Sequence, residues 1–321
     1  DCKIYLPFDF PWTVLRVLKL ICPKKIIFAE YDVWPNIVWI ANLLNIPTTI
    51  FSVHFSNHTP KLFPVIRNFY RTVYGTLSHI YSETTSDHEK VQRLIGTPSI
   101  SKVKVLGNPR YDQVKKKTDQ FTEDRTLSVL LRRKTIVAGS VWKEDEDVVL
   151  QPITQFLHED SSSTLIWAPH EPNQKNIDRA YNYFTSVGLS TTIHKEKNIQ
   201  ISEKERVVII GVVGILSSLY WEGQLAYVGG GFSTGVHNVM EPAIARLPVL
   251  FGPKFGNSHA AKELVLERGG YSITSSEEFW SKLNGIFTDE KSFLRSSFSA
   301  TDVIHKNLGS ATRIVRALIK D

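Results

Sequence analysis

Cysteine is almost absent from these 321 residues: there are two, Cys2 and Cys22. That excludes a disulfide scaffold and a multi-cysteine zinc site, and it fits a reducing compartment. Methionine is scarcer still. The only one is Met240, so residue 1 is not a translation start and the chain is expected to lack an N-terminal segment. No uninterrupted apolar run reaches the roughly 18 residues that span a bilayer. The richest stretch, Trp12 to Leu44, is broken by Arg16, Lys19, Pro23, Lys24, Lys25, Glu30 and Asp32. A signal peptide, internal repeats and low-complexity tracts are missing as well. So are a Gly-x-Ser-x-Gly elbow and any zinc-spaced ligand set, so no metal site is expected. Basic patches interleaved with aromatics are not seen, which argues against nucleic acid as a partner.

What is present is an ordinary globular balance, 42% apolar and 22% charged. It excludes wholesale disorder and a coiled-coil rod. The length predicts two domains. The net charge of +6 either solubilises the surface or serves an acidic partner, such as a phosphate or an anionic membrane.

Short β-rich runs alternate with longer helical ones. Strands are expected at 25–29, 48–53, 78–82 and 103–106, and again at 135–138, 164–168, 207–210, 225–228 and 249–251. Helices are expected at 36–45, 62–77, 144–157 and 259–268, with one opened by a capping box at Ser86-Asp87-His88-Glu89. Residues 115–134, rich in charge and threonine, read as a linker with room for a short helix. The tail, 301–319, is amphipathic. Phe63 to Tyr74 is compatible with docking on a membrane, but ordinary core packing is the favoured reading. Alternation of this kind implies parallel sheets with right-handed crossovers. Two such units place a ligand outside the carboxyl ends of their strands. The expected boundaries are 1–125 and 126–321, with the final helix returning to the first domain.

The strongest chemical signal is the stretch from Tyr227 to Pro242. A buried strand ends in Gly229, Gly230 and Gly231, a second small-residue turn follows, then His237, and a helix is expected near Asn238. Glycines expose successive N–H groups, and a helix start adds partial positive charge. The expectation is a phosphate cradle; the alternative is a tight structural turn capped by Asn238 and Glu241. Glu241, three residues after Asn238, either grips a ribose diol or caps the helix. His170 and Pro169 end a strand, where they suit a phosphate or a base. Ser140 follows another strand, as a hydrogen-bond donor to a phosphate or sugar acid, or as a helix cap. Glu144-Asp145-Glu146-Asp147 contains an Asp-x-Asp spacing, but acids at a helix start serve its dipole. In the first half, Glu30 ends a strand and is a candidate base or acceptor contact. His54, Ser56 and Asn57 follow the next strand and suit sugar hydroxyls.

Taken together, these residues resemble the 3-deoxy-D-manno-octulosonic acid (Kdo) transferases of lipopolysaccharide synthesis. The likeness runs through Glu30 to Asn36, Gly107 to Asp112, Gly139-Ser140, Ala168 to Pro172, Gly214 to Tyr220, Val228 to Pro242 and Leu247 to Pro253. It implies an α/β GT-B fold, two Rossmann-like domains with parallel sheets facing a cleft, the N-terminal one incomplete. It implies transfer of Kdo from CMP-Kdo to a lipid A precursor with inversion. No metal and no cofactor beyond the CMP-Kdo donor are implied. Pro169, His170, Gly231, Asn238 and Glu241 would sit in the CMP site, with Gly214 and Ile215 near the nucleotide and Glu30 on the acceptor side. The family's catalytic Glu belongs to a loop upstream of every residue here, which leaves Glu30 as the candidate within the chain. Many members have Pro-Arg-His where this chain has Pro169-His170-Glu171, and an Asp where it has Gly211. The implied place is the cytoplasmic face of the bacterial inner membrane, by peripheral contact with anionic lipid or an upstream anchor. A GT-B-like sugar-nucleotide epimerase and an inactive CMP-binding remnant are the alternatives.

Overall fold

The computed structural model describes residues 3, 5–30, 32–55, 59–96, 102–122, 129–198, 201–202 and 204–320. The chain divides into two compact units, Asp1–Asp112 together with Asn307–Asp321, and Gln113–Lys306.

The first unit is built on a four-stranded parallel sheet, β1 Ile26–Ala29, β2 Thr48–Val53, β3 His79–Ser82 and β4 Val103–Val105, in the order β1-β2-β3-β4. Sequential order with parallel pairing requires a crossover after every strand. The helices Pro35–Leu43, Pro64–Thr76 and Thr85–Ile95 supply them. Phe28, Ile50, Val53 and Ile80 from the sheet pack with Val38, Ala41, Val73 and Leu94 from these helices. Because the strands are parallel and in register, the residues just past their carboxyl ends line up. Glu30 N donates to Phe51 O and Glu83 N to Val53 O.

The second unit carries a seven-stranded parallel sheet of order β11-β10-β9-β5-β6-β8-β7. Its strands are β5 Thr135–Val141, β6 Thr164–Pro169, β7 Thr191–His194, β8 Val207–Ile210, β9 Leu225–Val228, β10 Val249–Phe251 and β11 Gly270–Ser272. The central strands are buried along their length, as parallel strands covered on both faces must be. The edge strands β7 and β11 escaped the sequence reading. They are half-buried and short, with polar residues where the central strands are apolar.

Several local expectations are corrected. The helix read at 62–77 starts at Pro64, after a separate turn at Pro60–Leu62. The helix after β3 is capped by Thr84, whose Oγ1 accepts from Asp87 N at 3.1 Å, rather than by Ser86. The short helix allowed for in the linker at 115–134 starts before it, running Arg110–Thr122. The tail is two helices, Glu290–Lys306 and Ser310–Lys320, broken at Gly309 with φ +84°. The segment Phe63 to Tyr74 buries only its far end. Val73 and Tyr74 are covered, while Phe63, Val65 and Phe69 lie open beside Arg67 and Arg71.

Candidate functional site

In the second unit the carboxyl ends of β5, β6 and β9 bring together the groups singled out from sequence. β5 bulges against β6 between Ala138 and Val141. Ser140 takes the bulge with φ +55°, a conformation that side-chain-bearing residues adopt at a cost and that clusters at functional sites. Ser140 is not a helix cap. The helix Lys143–Glu159 is capped at Trp142, whose N–H donates to Asp145 Oδ2 at 2.8 Å.

Asp145 decides what the glycine turn does. Fully buried, it accepts from Gly230 N at 2.9 Å through Oδ2 and from the Tyr227 hydroxyl at 2.7 Å through Oδ1. The Phe232 amide also bonds to it. Burial pushes its carboxyl above the ordinary value, although these donors oppose the rise. The remaining amides are largely spent at home: Gly229 N on Gly139 O, Gly235 N on Gly230 O, Val236 N on Lys254 O and His237 N on Gly229 O. For these engaged amides, Gly230 above all, the expectation of a phosphate cradle is therefore corrected. The anion in the nest is the protein's own carboxylate. Gly229, Gly230 and Gly231 are required by close packing instead. A Cβ on Gly229 would lie 2.2 Å from Ser140 O, and one on Gly231 2.5 Å from Gly252 N. Gly230 also has φ +91°.

Beside the turn lies a stack of flat rings. Trp142 and His170 have centroids 4.3 Å apart, and His170 and His237 4.4 Å. Trp142 Nε1–H donates to His237 Nε2 at 2.7 Å. An indole can only donate, so His237 Nε2 carries the lone pair and Nδ1 the hydrogen. Burial and the neighbouring His170 lower the His237 pKa, against the pull of Asp145. Pro169, expected to lie beneath a base, is buried at the end of β6; the ring stack offers that flat surface instead.

Asn238 does not start a long helix. The helix is Met240–Ile244, and Asn238 Oδ1 accepts from Met240 N at 3.0 Å. Its side chain also bonds to Glu241. Glu241 is mostly covered and lies 3.9 Å from Lys117 Nζ. Burial raises its pKa, with Lys117 and Asn238 opposing. Lys117 escaped the sequence reading, because its helix was taken for linker. Gly214 is exposed with φ +91° and open space beside it, and Ile215 precedes the short helix Leu216–Leu219. The acidic run at 144–147 is structural: Glu146 forms a two-pronged ion pair with Arg179, at 2.7 and 2.9 Å. Among the described residues no group of three metal-ligating side chains exists.

In the first unit, Glu30 ends β1 with φ +59° and pairs with Arg110 Nε at 2.8 Å. His54 follows β2, its Nδ1 at 3.1 Å from Asp87 Oδ2. Ser56 and Asn57 lie outside the described residues. Glu83, after β3, escaped the sequence reading; it bonds to the Asn108 side chain. A hollow of about 410 Å³ elsewhere in this unit is lined by Val14, Leu18, Ile26, Phe28 and other apolar groups, with Asp32 its one ionisable side chain.

Comparison with known proteins shows what the chain as a whole is similar to. Residues 1–113 match the family model of 3-deoxy-D-manno-octulosonic-acid transferase (kdotransferase). A 3-deoxy-D-manno-octulosonic acid transferase of Haemophilus influenzae is 23% identical over 98% of this chain and 73% of its own length. One of Chlamydia pneumoniae is 28% identical over 85% of this chain and 62% of its own. The resemblance read from the sequence is borne out. Among solved structures, a UDP-GlcNAc 2-epimerase of Neisseria meningitidis bound to UDP-GlcNAc superposes with a TM-score of 0.64, over 97% of this chain and 80% of that one. At 12% identity this likeness concerns the fold, the two-unit parallel α/β architecture of the GT-B class.

Proposed function

We propose that this chain, a glycosyltransferase related to the Kdo transferases, moves Kdo from CMP-Kdo to a lipid A precursor in lipopolysaccharide synthesis, with inversion at the anomeric carbon. The observation that carries the reading is the stacking of His170 on His237 beyond the strand ends of the second unit, followed along the same loop by the Asn238–Glu241 pair, in a chain whose sequence relatives include Kdo transferases. CMP-Kdo is the donor substrate, and the reading assigns no metal or other cofactor.

The residues divide the work by chemistry. Glu241 is an acceptor group that suits two ribose hydroxyls. The stack of Trp142, His170 and His237 suits a nucleobase or an adjoining phosphate. Because the glycine-loop amides are engaged within the protein, the departing phosphate is met by side chains: the Ser140 hydroxyl, His237 Nδ1–H and His170. Placed donors of this kind contribute about 3–4 kcal/mol each when they act on charge that develops in the transition state. Gly214 and Ile215 remain assigned near the nucleotide. On the acceptor side stand Glu30, paired with Arg110, with His54, Ser56 and Asn57.

The acceptor is a lipid, so the enzyme must work at a membrane. Among the described residues no helix is long and apolar enough to cross one. The exposed Phe63, Val65 and Phe69 beside Arg67 and Arg71 suit contact with an anionic leaflet. The cytoplasmic face of the inner membrane is the proposed place.

Calorimetric titration with CMP and with UDP, followed by a transfer assay from CMP-Kdo to the lipid A precursor, tests the reading. CMP binding with transfer supports it. UDP binding without transfer would turn it toward an epimerase, and CMP binding without transfer toward an inactive remnant.

A further inference from the structure

Beside the acceptor-side residues Glu30 and His54, the first unit holds a carboxyl that the transferase reading has not used, Glu83. Glu83 follows β3, beside His54 after β2 and Asn108 after β4. Its carboxyl is half-buried, bonds to the Asn108 side chain, and senses His54, Asp87 and Glu30. Its acidic neighbours are committed elsewhere. Glu30 is paired with Arg110 at 2.8 Å. Asp87 accepts from the Phe55 amide at 2.9 Å and from the Thr84 hydroxyl at 2.6 Å, and faces His54 Nδ1. Asp87 takes these donors as a carboxylate: burial works to raise its pKa, but the bonds from His54, Thr84 and Phe55 win and hold it low. Asp87 faces His54 Nδ1 at 3.1 Å, which places a hydrogen on Nδ1 and leaves Nε2 as the ring's second polar atom. That Nε2 is covered and has no hydrogen-bond partner among the described residues, although buried polar atoms are satisfied almost without exception.

We propose that Glu83 and His54 form a hydroxyl-binding subsite for the saccharide acceptor, an inference that rests on the transferase reading. Glu83 offers its carboxyl oxygens and His54 its second ring nitrogen, and a hydroxyl, which both donates and accepts, suits both. The neighbouring Asp87 and Glu30 carboxyls, which Glu83 senses, make the place unfavourable to a phosphate. One sugar hydroxyl donates to the Glu83 oxygen that Asn108 leaves open, and a neighbouring hydroxyl satisfies His54 Nε2. Glu83 thereby touches the acceptor, and Asp87 is a positioning residue that acts through His54.

The test titrates the lipid A precursor in detergent micelles against the whole chain and its Glu83→Gln and Glu83→Ala variants. CMP affinity and the melting temperature are measured alongside. Precursor affinity is expected to fall at least tenfold in Glu83→Ala and less in Glu83→Gln, which keeps an acceptor oxygen. CMP affinity stays unchanged, and inorganic phosphate does not displace the precursor. Equal precursor affinity in the three proteins, no precursor binding by the unaltered chain, or displacement by phosphate overturns the subsite. Loss of CMP binding by the unaltered chain would instead count against the transferase reading itself.

Discussion

Asp145 Oδ2 accepts the Gly230 amide at 2.9 Å. This one bond turns a glycine-rich turn from a ligand cradle into a structural joint. It links the start of the helix Lys143–Glu159 to the end of β9, and so holds Ser140, Trp142 and His237 in one neighbourhood.

Replacing Asp145 with Asn keeps the shape but puts a donor amide against the Gly230, Phe232 and Trp142 N–H groups. Loss of a buried acceptor of charge-assisted bonds costs on the order of 3–5 kcal/mol. Tyr227→Phe removes one hydrogen bond and should cost about 1 kcal/mol. Denaturant unfolding of both variants checks the ranking; an Asp145→Asn protein as stable as the parent contradicts the joint.

Glu241→Ala should weaken CMP binding by about tenfold or more, some 1.4 kcal/mol, whereas Lys117→Met should have a smaller effect across its 3.9 Å separation. Calorimetry with CMP measures both. Unchanged affinity in Glu241→Ala removes the ribose role.

Trp142→Phe keeps a ring in the stack but deletes the Nε1–H that occupies His237 Nε2. Protonation of His237 then no longer breaks a bond. Its pKa, held low by burial and His170, should rise toward the ordinary value. Imidazole NMR titration reads the change directly, and an unaltered titration counts against the bond.

Lys61 lies over the rings of Phe55, Tyr70 and Tyr74 at 5.0–5.5 Å and bonds to the Tyr74 hydroxyl. Burial lowers its pKa from 10.5 to about 8. Between these values the unfolded chain binds more protons than the folded one, so this residue makes stability rise as pH climbs from 8 to 10.5. Lys61→Met should flatten that part of the stability profile. Unfolding followed across pH 7 to 11 tests it, and identical slopes refute the shift.

Much of the architecture is legible along the chain. Runs such as Val207 to Ile210 and Leu225 to Val228 announce buried parallel strands, because a strand covered on both faces needs an unbroken apolar run. Strand ends in turn announce Glu30, His54, Ser140 and His170. Sequence alone also carries the likeness to Kdo transferases, since shared residues are what that likeness consists of. Tertiary structure decided the rest. Asp145 and Gly230 are 85 residues apart, so no local spacing could reveal that one fills the other's nest. Lys117 meets Glu241 across a still longer gap, and Glu83 gains meaning only when β3 lies between β2 and β4. The pattern along a chain reports which surfaces avoid water. Which polar group satisfies which depends on directional bonds over a few ångströms, and only the folded chain brings those partners within reach.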